Sequence, residues 1–259
     1  MTIVERLAQT LANIPEGELD DAPRLWVGRC GAQLAVDFYG DPGQDACIDL
    51  LEALKDPSVA PHLATLTLRS PDVGANGTRG YHLGSLTSTT FPALSSLKVE
   101  RNHPEAHNRG VIGDVDGEFG VLGELLRCCP SLQMLEVPSA PDASFFEVAE
   151  HPLRHLSVDA GYDHQRFVRN VATSSCFPKL NVLEFGEYEE TYMDDFASRV
   201  TPGADYETLF TSPLMRQLSC LTLRNPRFPE TLITNFRKPG LQLKIVRTSY
   251  AYGKFPSWS

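Results

Sequence analysis

Six times between residues 63 and 223 the chain spells Leu-x-x-Leu-x-apolar: Leu63/Leu66/Leu68, Leu94/Leu97/Val99, Leu132/Leu135/Val137, Leu153/Leu156/Val158, Leu180/Leu183/Phe185 and Leu218/Leu221/Leu223. Successive side chains of a strand point to opposite sides, so each signature describes a short strand with one apolar face. A unit this small cannot bury that face alone. Stacked neighbours must supply the core, and the expected fold is α/β: a parallel sheet with helices returning behind it, built as a one-dimensional solenoid.

The middle leucines are 31, 38, 21, 27 and 38 residues apart. The usual unit is about 20–29 residues, so three of the intervals carry insertions, and insertions in repeats emerge as loops on one face. The two long ones cover residues 101–118 and 186–211. Proline precedes the strands at a fixed offset, as Pro61, Pro92, Pro130 and Pro178, with Pro152 one residue nearer. A helix cannot run through it, so the chain enters each strand extended.

Between strands, residues 45–55, 121–128, 143–149 and 167–171 have the apolar spacing of short helices. Upstream, residues 2–14 present Ile3, Leu7 and Leu11 on one helical face. Residues 24–27 and 33–38 alternate like strands, and Leu241-Gln-Leu-Lys-Ile-Val246 supplies a last strand with Leu243 as the equivalent leucine. The expected division is an amino-terminal cap over residues 1–60, repeats over 61–225, and a carboxy-terminal strand and cap over 226–259, all in one solenoid domain.

The strand signature with its leading proline resembles the leucine-rich-repeat superfamily, and the layout resembles cytosolic bacterial leucine-rich-repeat proteins. The resemblance covers residues 61–246. It implies a horseshoe with a concave parallel sheet, helices on the convex side, ligand recognition by strands and loops, and no catalytic residues. In the fuller repeat an asparagine three residues past the last apolar strand position bonds the turn backbone. Here only Asn102 stands there, so irregular repeats are expected.

If the leucines point inward, the concave face carries Thr65, Thr67 and Arg69; Ser96, Lys98 and Glu100; Met134, Glu136 and Pro138; His155, Ser157 and Asp159; Val182, Glu184 and Gly186; Cys220, Thr222 and Arg224. Glu100, Glu136, Asp159 and Glu184 occupy four consecutive repeats between Arg69 and Arg224. They are expected to form a column of carboxylates about 4.8 Å apart, relieved by a cationic partner. The second insertion adds Glu187, Glu189, Glu190, Asp194 and Asp195 around Tyr188, Tyr192 and Met193, a mixture suited to an interface. The partner-binding candidates are Glu100, Glu136, Asp159, Glu184, Arg69, Arg224, His155, Tyr188, Glu189 and Tyr192.

With 33 acidic against 23 basic residues the net charge is -10, which disfavours nucleic acid and favours a partner protein with a basic surface. No run approaches the ~18 apolar residues of a membrane helix and residues 1–14 lack a leader pattern, so a cytoplasmic protein without membrane contact is expected. Six scattered cysteines suggest reduced thiols, with Cys128 and Cys129 filling core. The glycine-rich stretch 110–123 fits neither a phosphate loop nor a calcium loop and is expected to be a flexible insertion. His103/His107 and His151/His155 have helical metal-ligand spacing, but Pro104 and Pro152 argue against helices there. No cofactor, metal or catalytic residue is expected. The functional expectation is a non-enzymatic protein-binding module, with an immunity-like inhibitor of a basic toxin as one specific case. A structural scaffold is the alternative, and an enzyme with a dispersed site ranks last.

Overall fold

The computed structural model describes residues 22–72, 77–102, 106, 108–113, 120–187, 200–228, 230–234, 239–250 and 256–258. In chain order the strands are β1 (Arg24–Cys30), β2 (Gln33–Tyr39), β3 (Leu63–Arg69), β4 (Thr78–Tyr81), β5 (Ser96–Val99), β6 (Arg109–Ile112), β7 (Met134–Val137), β8 (His155–Asp159), β9 (Val182–Gly186), β10 (Cys220–Arg224), β11 (Gln242–Val246), β12 (Thr248–Tyr250) and β13 (Pro256–Trp258). Nine of them form one sheet in the order β1-β2-β3-β5-β7-β8-β9-β10-β11. The chain therefore adds each new strand beside the last. Only β1 runs antiparallel to its neighbour; the rest are parallel.

The register explains why leucine recurs. Val36, Leu66, Leu97, Leu135, Leu156, Leu183, Leu221 and Leu243 stand side by side across eight strands. Leu66 to Leu221 are fully or almost fully buried. Removing one, as in Leu135→Ala, would leave a gap worth about 2–5 kcal/mol.

Behind this face lie α1 (Asp45–Leu54), α2 (Val121–Cys128), α3 (Phe167–Thr173), α4 (Gly203–Thr211) and α5 (Leu214–Gln217), with short 3-10 turns at Ala60–His62, Leu83–Ser88 and Ala143–Phe146 and a further helix α6 (Glu230–Thr234). Their apolar sides join the strand leucines in one core that includes Leu50, Leu54, Leu125, Leu126, Phe167, Val171, Tyr206 and Leu209. The architecture is thus α/β with a mostly parallel central sheet, helices on one side of it.

The prolines are turn residues. Leu94 N–H donates to Phe91 O at 3.2 Å, Leu132 N–H to Cys129 O at 3.0 Å and Leu180 N–H to Phe177 O at 3.1 Å. Each turn holds proline at its second position, where a fixed φ near -65° is what a type I turn needs. Residues 143–149, expected to be a helix, form only the 3-10 turn Ala143–Phe146, capped by Asp142 accepting from Ser144 N–H. The glycine-rich stretch departs from expectation too: Arg109–Ile112 is a strand, β6, paired in parallel with β4 to make a small second sheet. Asn102 fixes it, since its Oδ1 accepts from Gly110 N–H at 2.6 Å and its Nδ2 donates to Gly110 O at 3.0 Å. The one asparagine at the repeat position does bond backbone, but backbone of a neighbouring strand.

Candidate functional site

On the side of the sheet away from the helices, two rows of side chains cross the strands. The first, at the amino-terminal ends, runs Gly28, Ala35, Thr65, Ser96, Met134, His155, Val182, Cys220 and Gln242. It is half-exposed from Gly28 to Cys220 and exposed at Gln242. The second runs Trp26, Asp37, Thr67, Lys98, Glu136, Ser157, Glu184, Thr222 and Lys244. Among the described residues no helix covers either row.

The expected column of carboxylates is not what these rows make. Glu136 and Glu184 share a row with Ser157 between them, whereas Asp159 lies one pair further along, level with Gly186 and Arg224. Acids at different positions within their strands fall in different rows because the side-chain period is two. Nor do they wait for an outside cation. Arg101, the first residue past Glu100, crosses three strands: its Nε meets Glu136 Oε1 at 3.1 Å, and its Nη1 donates to Ser157 Oγ at 3.0 Å and pairs with Glu184. Arg224 pairs with Asp159 and donates from Nε to Glu184 Oε1 at 2.8 Å. Lys98 stands 3.7 Å from Glu136. Three carboxylates are thus met by two guanidiniums and an ammonium, and the centre of the face is balanced.

Burial separates these pairs in kind. Asp159 is 3% and Arg224 8% exposed, so their attraction acts with little solvent screening. Gly186 makes room for them: a Cβ there would lie 2.5 Å from Asp159 Oδ1 and 2.7 Å from Arg224 Cζ. At the other end Arg69 pairs with Asp37 at 2.9 Å in the open, where a pair contributes little. Glu100 turns off the face and accepts from Ser70 N–H at 3.2 Å. Burial would lower the affinity of Arg101 for its proton, but Asp159, Glu184 and Glu136 overcome this and hold it above the ordinary arginine value. Burial lowers the pKa of His155, and Lys98 and Arg101 add to that against Glu136 and Glu184. His155 is therefore uncharged at neutral pH, and the first row is neutral along its length.

Other expected residues lie elsewhere. Tyr188, Glu189 and Tyr192 lie outside the described residues, as do Glu190, Met193, Asp194, Asp195, the His103/His107 pair and segment 2–14. Glu187 is not an exposed acid: it is buried, accepting from Thr201 N–H at 3.0 Å and from the Tyr206 hydroxyl at 3.1 Å. Burial, then the charge of Glu187, pushes the Tyr206 phenol well above its usual range. His151 and His155 do not converge on a metal, since His151 packs edge-on against Phe177 and bonds Cys129 O at 3.1 Å. Among the described residues no cluster of His, Cys, Asp and Glu could hold a metal ion, and no helix is long and apolar enough to cross a membrane. All six cysteines are free.

Sequence reasoning left four contributors out of the binding candidates. Trp26, 62% exposed at one end of the second row, gives no repeat signal because it precedes the first repeat. Arg101 belongs to an insertion, where no periodicity assigns a direction. Met134 and Val182 have the right alternation but were overshadowed by the charged positions beside them. A hollow between α3 and α4, lined by Val171, Phe177, Leu180 and Leu214 among others, contains no titratable side chain. Its Thr208, Thr211 and Ser212 hydroxyls are tied to helix carbonyls.

Comparison with models of known protein families, with curated proteins and with solved structures finds no match.

Proposed function

We propose that the chain is a leucine-rich-repeat solenoid with irregular repeats that binds another protein on the side of the sheet away from the helices. The observation behind this reading is the neutral row from Ala35 to Cys220. It is continuous, half-exposed and fixed in register by the ladder beneath it. A surface held this rigidly loses little freedom on binding. Met134 and Val182 offer apolar contact, while Thr65, Ser96 and His155 offer hydrogen bonds, the mixture typical of interface cores. The charged row alongside is internally balanced, so it supplies orientation rather than a demand for cations. The net charge of -10 steers a basic partner from a distance, and the neutral row makes the contact.

The test compares Met134→Glu and Val182→Glu with Ile48→Glu, a change at an exposed position on α1. A partner is captured with the wild-type chain, and its affinity for each purified variant is then measured. The two sheet variants should lose at least tenfold in affinity while the helix variant keeps it. Equal binding by all three, or loss only in Ile48→Glu, would place recognition elsewhere.

A further inference from the structure

Among the described residues the first strand ends the sheet with one edge unpaired. β1 meets β2 through the two-residue loop Gly31-Ala32, with Cys30 opposite Gln33, and Gly31 has φ +60°, as a type II′ turn requires at its first central position. In such a hairpin the closing pair exchanges both backbone bonds, and the bonding pairs then alternate. Arg24, Trp26, Gly28 and Cys30 therefore bond toward β2. The N–H and C=O groups of Leu25, Val27 and Arg29 point outward, and among the described residues nothing pairs with them. Leu25 and Val27 are only half-buried against the core, so the apolar layer stops at this edge incomplete. A seven-residue edge with an apolar centre, whose one charge on the core-side face, Arg29, is exposed near the end of the strand, is a template for another strand.

We propose that the strand it takes is the β1 of a second copy, antiparallel and centred on Val27. The sequence of β1 is self-complementary about that residue. A twofold axis at Val27 sets Trp26 opposite Gly28 of the other copy, twice over. In a single copy the indole of Trp26 lies across its own Gly28, with Cζ2 2.8 Å from where a Cβ would be, so on pairing each indole turns from its own glycine to the one facing it. The largest side chain in the strand thus meets the one residue without a side chain, at a non-bonded pair where Cα atoms come within about 4.5 Å. Leu25 falls opposite Arg29 and Arg24 opposite Cys30, so no two arginines face each other directly. Both cations are also occupied at home: Arg24 lies over the Tyr39 ring at 5.6 Å, and Arg29 donates to Gly31 O at 3.1 Å. All seven residues pair in this register, and moving the centre to Trp26 or Gly28 shortens the ladder. An unrelated peptide would need its own glycine at the same place.

One strand from each copy makes a small interface, so the dimer should dissociate on dilution through roughly the micromolar range. The full-length chain is examined by sedimentation velocity across that range. The mass should rise with concentration from 28.6 kDa toward twice that value. Val27→Lys, and independently Val27→Pro, which removes only an outward N–H, should stay at one copy with the wild-type circular dichroism spectrum. A cross-link fixes the register. In Arg24→Cys the new thiol lies opposite Cys30 of the other copy at a non-bonded pair, within disulfide reach, whereas within one chain the two are about 20 Å apart. Mild oxidation should give a covalent dimer that Val27→Lys abolishes. A wild-type chain that stays single throughout, a dimer that survives folded Val27→Lys, or an Arg24→Cys chain that pairs without forming the cross-link would each overturn the proposal.

Discussion

Gly186→Ala tests whether the buried ion pair holds the centre of the sheet. The added methyl would sit 2.5 Å from Asp159 Oδ1 and 2.7 Å from Arg224 Cζ, too close for either to stay. Breaking a buried pair by removing one member costs about 3–5 kcal/mol. Here both charges survive but must part, and Arg224 keeps Glu184, so a loss of about 2–4 kcal/mol is the better figure. Alanine is preferred over glycine in a strand by about 0.5–1 kcal/mol, which offsets part of it. The expected net destabilisation is about 2–3 kcal/mol, or a melting temperature lower by roughly 5–10 °C for a chain of this size. The control is Gly203→Ala, at the start of α4, where an added Cβ meets nothing and stability should rise by a few tenths to about 1 kcal/mol. Urea denaturation and calorimetry on both variants would decide. Gly186→Ala melting at or above the wild-type temperature would refute the steric reasoning.

Arg101→Gln removes a cation that holds the His155 pKa down, so that pKa should rise; imidazole NMR titration would show it, and an unchanged or lower value would contradict the placement of Arg101. Burial lowers the pKa of His151 below the ordinary 6.5, against bonds to the Cys129 and Leu126 carbonyls. The unfolded chain then takes up the proton first: stability is full above about pH 6.5 and falls as pH drops toward the folded value. Urea midpoints between pH 7 and 5.5 should therefore decrease, and less steeply in His151→Gln; a rise on acidification would reverse the sign. Ellman's reagent at pH 8 should find exposed Cys30 first, because burial pushes Cys47 and Cys129 up to about 12; early labelling of either would show that its burial is not maintained.

The strands were legible in the sequence because burial there is set by local alternation. Any Leu-x-x-Leu-x-apolar unit must hide its three apolar residues on one side, and equal units can only do so in register. Leu243 joined that ladder for the same reason. What the insertions do was not legible. Nothing in the order of residues 100–113 shows that Asn102 grips Gly110, or that Arg101 turns back over strands more than thirty residues ahead. Those outcomes depend on loop paths that bring distant residues together. The carboxylates were located by residue but misjudged in company: alternation gives the face, whereas the occupant of the space between two acids comes from another part of the chain. Helices α4 and α5 in the second long interval escaped because α4 mixes Asp205, Glu207 and two threonines among its apolar residues and shows no clean stripe.

A stack in which each layer touches only its neighbours would ordinarily fray from either end, one rung at a time. Arg101 reaches Glu136, Ser157 and Glu184, and Arg224 ties Glu184 to Asp159, so β7 to β10 are buckled together on the side opposite the leucines. Peeling that starts at β1 or β11 should halt at this buckle. Amide exchange would then divide the sheet into quickly exchanging flanks and a middle block that opens all at once.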